Sequence, residues 1–137
     1  MRGPSAVNGV TEVTMQYVML IYETPEDFET RGSGAGHPYI AAWRAYHKAL
    51  VASGAYVGGA PLQDMGTATT VQLKEGRRRV QDGPFAEAKE QLGGFIILDL
   101  PSLDAALEWA ARCPTAATGA IEVRPVDAEA HETVLAP

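Results

Sequence analysis

Gln16-Tyr17-Val18-Met19-Leu20-Ile21-Tyr22 is a short apolar run dense in aromatic and β-favouring residues, and it reads as a strand. Alternation sends Tyr17, Met19 and Ile21 to one face and Val18, Leu20 and Tyr22 to the other. Both sets are apolar or aromatic. A sheet with helices on one side and water on the other should instead alternate apolar with polar. This strand therefore asks for cover on both faces. Phe95 to Leu100 (FIILDL) repeats the pattern, with Phe95 and Ile97 opposed to Ile96 and Leu98.

Outward from the first strand, Glu23 to Gly36 carries Pro25, Gly32, Gly34 and Gly36 and reads as a mobile loop. A helix follows from Pro38 to Ser53, with Trp43, Tyr46, His47 and Leu50 at three- and four-residue spacing and Gly54 as its stop. Thr67 to Leu73 and Arg78 to Gln81 make a hairpin about Glu75-Gly76. Ser102 caps a second helix whose buried stripe is Leu103, Ala106, Leu107, Ala110 and Ala111, and Pro114 ends it. Ala120 to Val126 is the last strand, with Pro125 marking an edge. The order reads β-α-β-β-α-β, an α+β ferredoxin-like arrangement with an antiparallel sheet and helices on one face. The expected division is a flexible extension over 1–13, one domain over 14–127 and a tail over 128–137.

A single chain of 137 residues has no third layer to cover the second face of that sheet. A second copy, packed sheet to sheet as a homodimer, is the economical answer. Ile121 and Val123 then share the helix face, and Glu122 and Arg124 point between the subunits. Charges there need partners or water, so a ligand cleft is expected between the sheets.

The net charge of −6 opposes non-specific nucleic-acid binding. The basic run Lys74 to Arg79 reads as a solvated hairpin tip or, in the minority reading, an anion contact. Cys113 is the sole cysteine, so no intramolecular disulfide and no thiolate metal cluster can form. His37, His47 and His131 show no ligand spacing, and neither a metal nor a cofactor is expected. No secretory leader precedes Tyr17 and no apolar run is long enough for a membrane span, which points to the cytoplasm.

Asp82-Gly83-Pro84-Phe85-Ala86-Glu87-Ala88-Lys89-Glu90-Gln91-Leu92-Gly93-Gly94 concentrates charge in a turn between strands. Asp82 reads either as a turn-former bonded to nearby backbone or as an acid/base. Glu87 and Lys89 are candidates for a pocket rim. Arg124, beside Glu122, has the planar fork that clamps a carboxylate or phosphate. Tyr17 and Phe85 are aromatics for the core, the interface or a pocket wall.

This stretch resembles the signature of the DGPF group within the YCII-related family. The likeness extends through YVMLIY (Tyr17 to Tyr22), GGAPLQ (Gly58 to Gln63), LDAALEWAARCP (Leu103 to Pro114) and IEVRPV (Ile121 to Val126). The resemblance implies a dimeric α+β barrel and an association with extracytoplasmic-function sigma factors. It also implies a His–Asp pair in a cleft, whose Asp falls at Asp82. The histidine's place falls at Trp43, with His47 one turn later, so the pair is incomplete here. Two functions stay open: a cofactor-free enzyme acting on a small molecule with Asp82 as acid/base, and a non-catalytic sensing or accessory module.

Overall fold

The computed structural model describes residues 6–7, 10–11, 13–86, 88–135 and 137. Most of the expected N-terminal extension lies outside them. Ala6–Val7 and Val10–Thr11 pair as a minimal antiparallel ribbon.

The central sheet has four strands: β1 (Met15–Glu23), β2 (Tyr56–Pro61), β5 (Gln91–Leu100) and β6 (Ala120–Pro125). Their spatial order is β2-β5-β1-β6 and every pair is antiparallel. With α2 (Pro38–Ser53) after β1 and α3 (Leu103–Arg112) after β5, this is the ferredoxin-like β-α-β-β-α-β fold. The second sheet strand is nonetheless Tyr56–Pro61, not the Thr67–Leu73 segment that the sequence favours. Gly58, Gly59 and Pro61 are poor strand formers, and tertiary pairing with β5 overrides that preference.

The expected hairpin exists but stands outside the sheet. Among the described residues its strands β3 (Thr69–Lys74) and β4 (Arg77–Asp82) pair only with each other, across a turn with positive φ at both Glu75 (52°) and Gly76 (74°). That is the backbone of a tight two-residue hairpin turn. Val71, Leu73 and Val80 are 57%, 73% and 53% exposed, so the hairpin is an arm with its apolar side in solvent.

Two further elements replace stretches read as irregular. Within Glu23–Gly36, Thr24 and Asp27 form a reciprocal cap that starts a short helix α1 (Pro25–Thr30), and a helical turn Arg31–Ser33 follows. The tail forms α4 (Ala128–Leu135). Among the described residues no helix is long and apolar enough to cross a membrane.

The core lies between one sheet face and the helices. Tyr17, Met19, Ile21, Ile96 and Leu98 meet Tyr46, Leu50, Ala106 and Ala110, with Met19, Leu50, Leu98 and Ala106 wholly inaccessible. On the other face Val18, Leu20, Phe95 and Ile97 are only half-buried. The alternation read from QYVMLIY is thus present, with one apolar face covered by helices and one open.

Candidate functional site

One carboxylate departs from the pattern of β1. Glu23 continues the core-facing series Tyr17, Met19, Ile21 and is 4% exposed. An ionised group there needs partners. Arg31, from the turn after α1, bridges to Glu23 Oε1. Its guanidinium also donates to Leu62 O and, at 3.0 Å, to Gly93 O, and it stacks 4.2 Å from the centre of the Phe28 ring. Tyr39 Oη–H donates to Glu23 Oε2 at 2.6 Å.

Tyr39 has one proton, and Glu23 takes it. The 2.5 Å contact between Tyr39 Oη and Thr115 Oγ1 is therefore donated by Thr115. Trp43 Nε1–H in turn donates to Thr115 Oγ1 at 3.2 Å. The series Trp43 to Thr115 to Tyr39 to Glu23 runs in one direction and ends on the carboxylate. Burial, followed by donation to Glu23, raises the Tyr39 phenol far above its ordinary value, so it remains a donor.

Room for the Glu23 carboxylate comes from β5. Ile21 pairs with Gly94 and Tyr22 with Leu92, leaving Gly93 as the extra residue of a β-bulge. A Cβ at Gly93 would overlap Glu23 Oε1.

Glu23, Arg31, Tyr39 and Gly93 line one end of a cavity of about 450 Å³ between α2 and the β2–β5 side of the sheet. Ile40, Trp43, Tyr56 and Ile96 line its apolar walls, with His47 on α2. The His47 ring meets Tyr56 edge-on, with centroids 4.9 Å apart. Size, concavity and a few convergent polar groups are the marks of a small-molecule site. Glu23, Arg31, Tyr39 and Trp43 direct their hydrogen bonds at one another, at the Thr115 hydroxyl and at backbone, whereas no hydrogen bond to the His47 ring occurs among the described residues. His47 is thus the imidazole on the wall left to meet a ligand.

The residues singled out from the sequence lie elsewhere. Asp82 closes β4, exposed, opposite Thr69. The turn after it is fixed by Gly83 N–H donating to Ala68 O (2.7 Å) and by the Thr70 hydroxyl donating to Gly83 O (2.8 Å). Phe85 is 76% exposed, and Lys89 is exposed as well. Glu87 lies outside the described residues. Tyr17 is 5% exposed in the core beneath the helices, away from the cavity. Glu122 and Arg124 sit on the open sheet face, beside Leu20 and Val18, with Ile121 and Val123 turned to the helices as expected. Within one chain, Asp82 and Lys89 do not share a cavity with Arg124.

The matching family model, for the YCII-related domain, spans residues 15–129. The chain belongs to the YCII-related family. An uncharacterised protein of Rhizobium meliloti (strain 1021) is 49% identical over 61 residues, or 43% of this YCII-related chain. The aligned region amounts to 49% of that relative's length, about half. Among solved structures, 5-chloro-2-hydroxyhydroquinone dehydrochlorinase (TftG) from Burkholderia phenoliruptrix AC1100, in complex with 2,5-dihydroxybenzoquinone, is similar at 19% identity and a TM-score of 0.47. The match covers 80% of this chain and 91% of that one.

Proposed function

We propose that this YCII-related protein binds a small, uncharged, largely apolar molecule in the cavity beneath α2, with His47 placed to exchange a proton with it. The observation that carries this reading is the contrast within the cavity: apolar walls end on a buried carboxylate already paired with Arg31 and hydrogen-bonded by Tyr39. An uncompensated ligand charge would find no opposite charge left to meet it there. A ring-sized ligand fits the aromatic flank of Trp43 and Tyr56. Imidazole offers one ring nitrogen as donor and the other as acceptor, which suits His47 to acid/base work.

The test is a thermal-shift screen with neutral aromatic and alicyclic compounds on the wild type, Ile40→Trp and His47→Asn. Ligand at a hundred times its dissociation constant should stabilise the wild type by about 2.7 kcal/mol. Ile40→Trp, which fills the cavity, should abolish the shift. His47→Asn should keep binding and lose turnover of any compound that is consumed. Equal shifts in wild type and Ile40→Trp would sink the assignment. Turnover separates an enzyme from a sensor.

The half-buried apolar face formed by Val18, Leu20, Phe95 and Ile97 supports a homodimer closed sheet to sheet. Sedimentation at micromolar concentration should give twice the chain mass of 14.6 kDa. A monomer would refute it.

A further inference from the structure

Among the described residues, two pieces of this chain lack the packing that would hold them in water. The arm β3–β4 is an isolated two-stranded hairpin, marginal without a third strand or a cover. Register pairs Val71 with Val80 and Leu73 with Arg78, so Val71, Leu73 and Val80 share one face with Arg78 beside them. Helix α4 has eight residues, every one of them exposed, which is too short for independent stability. Val134 and Leu135 are 74% and 65% exposed, and Glu132 lies one helical turn from Leu135 on the same stripe.

Their charges are opposite. The arm holds Lys74, Arg77, Arg78 and Arg79 against Glu75 and Asp82, a net positive element in a chain of net charge −6, while α4 and its cap carry Asp127, Glu129 and Glu132. They cannot easily meet within one chain. The arm leaves the sheet between the end of β2 and the start of β5. Helix α4 follows β6, on the far edge, and β6 ends where Pro125 pairs with Tyr17. The start of β5 pairs with the other end of β1, Gln91 with Glu23. The two elements thus stand at diagonal corners of the sheet.

We propose that the arm of one copy seats its Val71–Leu73–Val80 face on α4 of a second copy, with Arg78 against Glu132, twice by symmetry. This rests on the homodimer proposed above and is independent of the cavity assignment. Each copy covers the apolar face that the other cannot cover for itself, and the charge pairing fixes the direction of the embrace.

Analytical ultracentrifugation of wild type, Arg78→Glu, Glu132→Arg and the double variant tests it. Each single reversal should weaken the dimer by roughly tenfold or more, and the double variant should recover most of that loss. Both sites are exposed, so circular dichroism should show all four chains folded. As a second measurement, the variant Leu73→Cys with Leu135→Cys should form an intermolecular disulfide under mild oxidation, Cys113 being buried. Unchanged dimerisation in both single variants, with no cross-link, would overturn the arm contact while leaving a sheet-to-sheet dimer standing. A monomeric wild type would overturn both. Retention of duplex DNA by the wild type but not by Arg78→Glu, with the dimer unmoved, would reassign the arm to nucleic acid.

Discussion

The carboxylate of Glu23 occupies the space in which a side chain at Gly93 would stand. Those residues lie far apart in sequence and meet because the bulge in β5 brings bare backbone against the end of β1. The polar end of the cavity depends on this absence of a Cβ. Gly93→Ala should cost about 1–3 kcal/mol, the range for overpacking a filled site. Gly36→Ala is the control, since nothing stands near that position and its φ is ordinary. Denaturant midpoints for the two variants should separate clearly. Equal midpoints would mean that Glu23 gives way freely, and that the site is not rigid.

Arg31 is the sole cation paired with Glu23 among the described residues, and it also holds Leu62 and Gly93 by their carbonyls. Arg31→Met leaves a buried carboxylate without its countercharge. Breaking a fully buried pair costs about 3–5 kcal/mol; with the Arg31 side chain 29% exposed, about 2–3 kcal/mol is expected. Glu23→Gln added to Arg31→Met should restore part of that stability, because the stranded charge is gone. A double-mutant cycle in urea measures this coupling. Strict additivity would show that the pair acts as two independent groups.

Tyr39→Phe interrupts the directed series at its middle. Glu23 loses a donor and Thr115, fully inaccessible, loses the acceptor of its proton. A buried donor left unsatisfied costs about 1–3 kcal/mol. The substitution should also loosen Trp43, whose indole is fixed by Thr115, and so broaden its fluorescence. An unchanged melting temperature with an unchanged spectrum would argue that water replaces the phenol without loss.

Why the sheet was legible and this site was not follows from the signals involved. QYVMLIY, FIILDL and the α2 spacing report burial directly, and burial sets the fold. Strand β2 escaped because Gly58, Gly59 and Pro61 carry no strand signal of their own. Glycine-rich 23–36 concealed a helix nucleated by Thr24 and Asp27, a capping box that the sequence does spell out. The cavity's polar end joins Glu23, Arg31, Tyr39 and Thr115 from four separate segments, and no spacing rule links them. One hint was available: Glu23 is a charge on the core face of an otherwise apolar strand, and Gly93-Gly94 is a glycine pair inside another. The turn at Asp82 is dense in charge, yet the cavity is lined by other residues.

Alkaline pH should destabilise the fold in a defined window. Burial pushes the Cys113 thiol up to about 12, with Thr115 and Ala116 backbone N–H groups partly opposing it. Burial also raises the phenols of Tyr39 and Tyr46. In the unfolded chain these groups ionise at their ordinary values of 9.0 for the thiol and 10.0 for the phenols, while the folded chain keeps its protons. The unfolded state then binds fewer protons, so stability falls as pH rises. The stabilising contribution of these groups is fully present below about pH 9 and is lost progressively toward pH 12 and beyond. Each group contributes a limiting slope of about 1.4 kcal/mol per pH unit. Cys113→Ala should flatten the fall that begins near pH 9 and leave the steeper loss above pH 10, which belongs to the tyrosines. Urea midpoints at half-unit steps from pH 8 to 11 would resolve the two. Identical slopes in wild type and Cys113→Ala would show that the thiol ionises as readily folded as unfolded, and rapid reaction of the native thiol with Ellman's reagent at pH 8 would show the same.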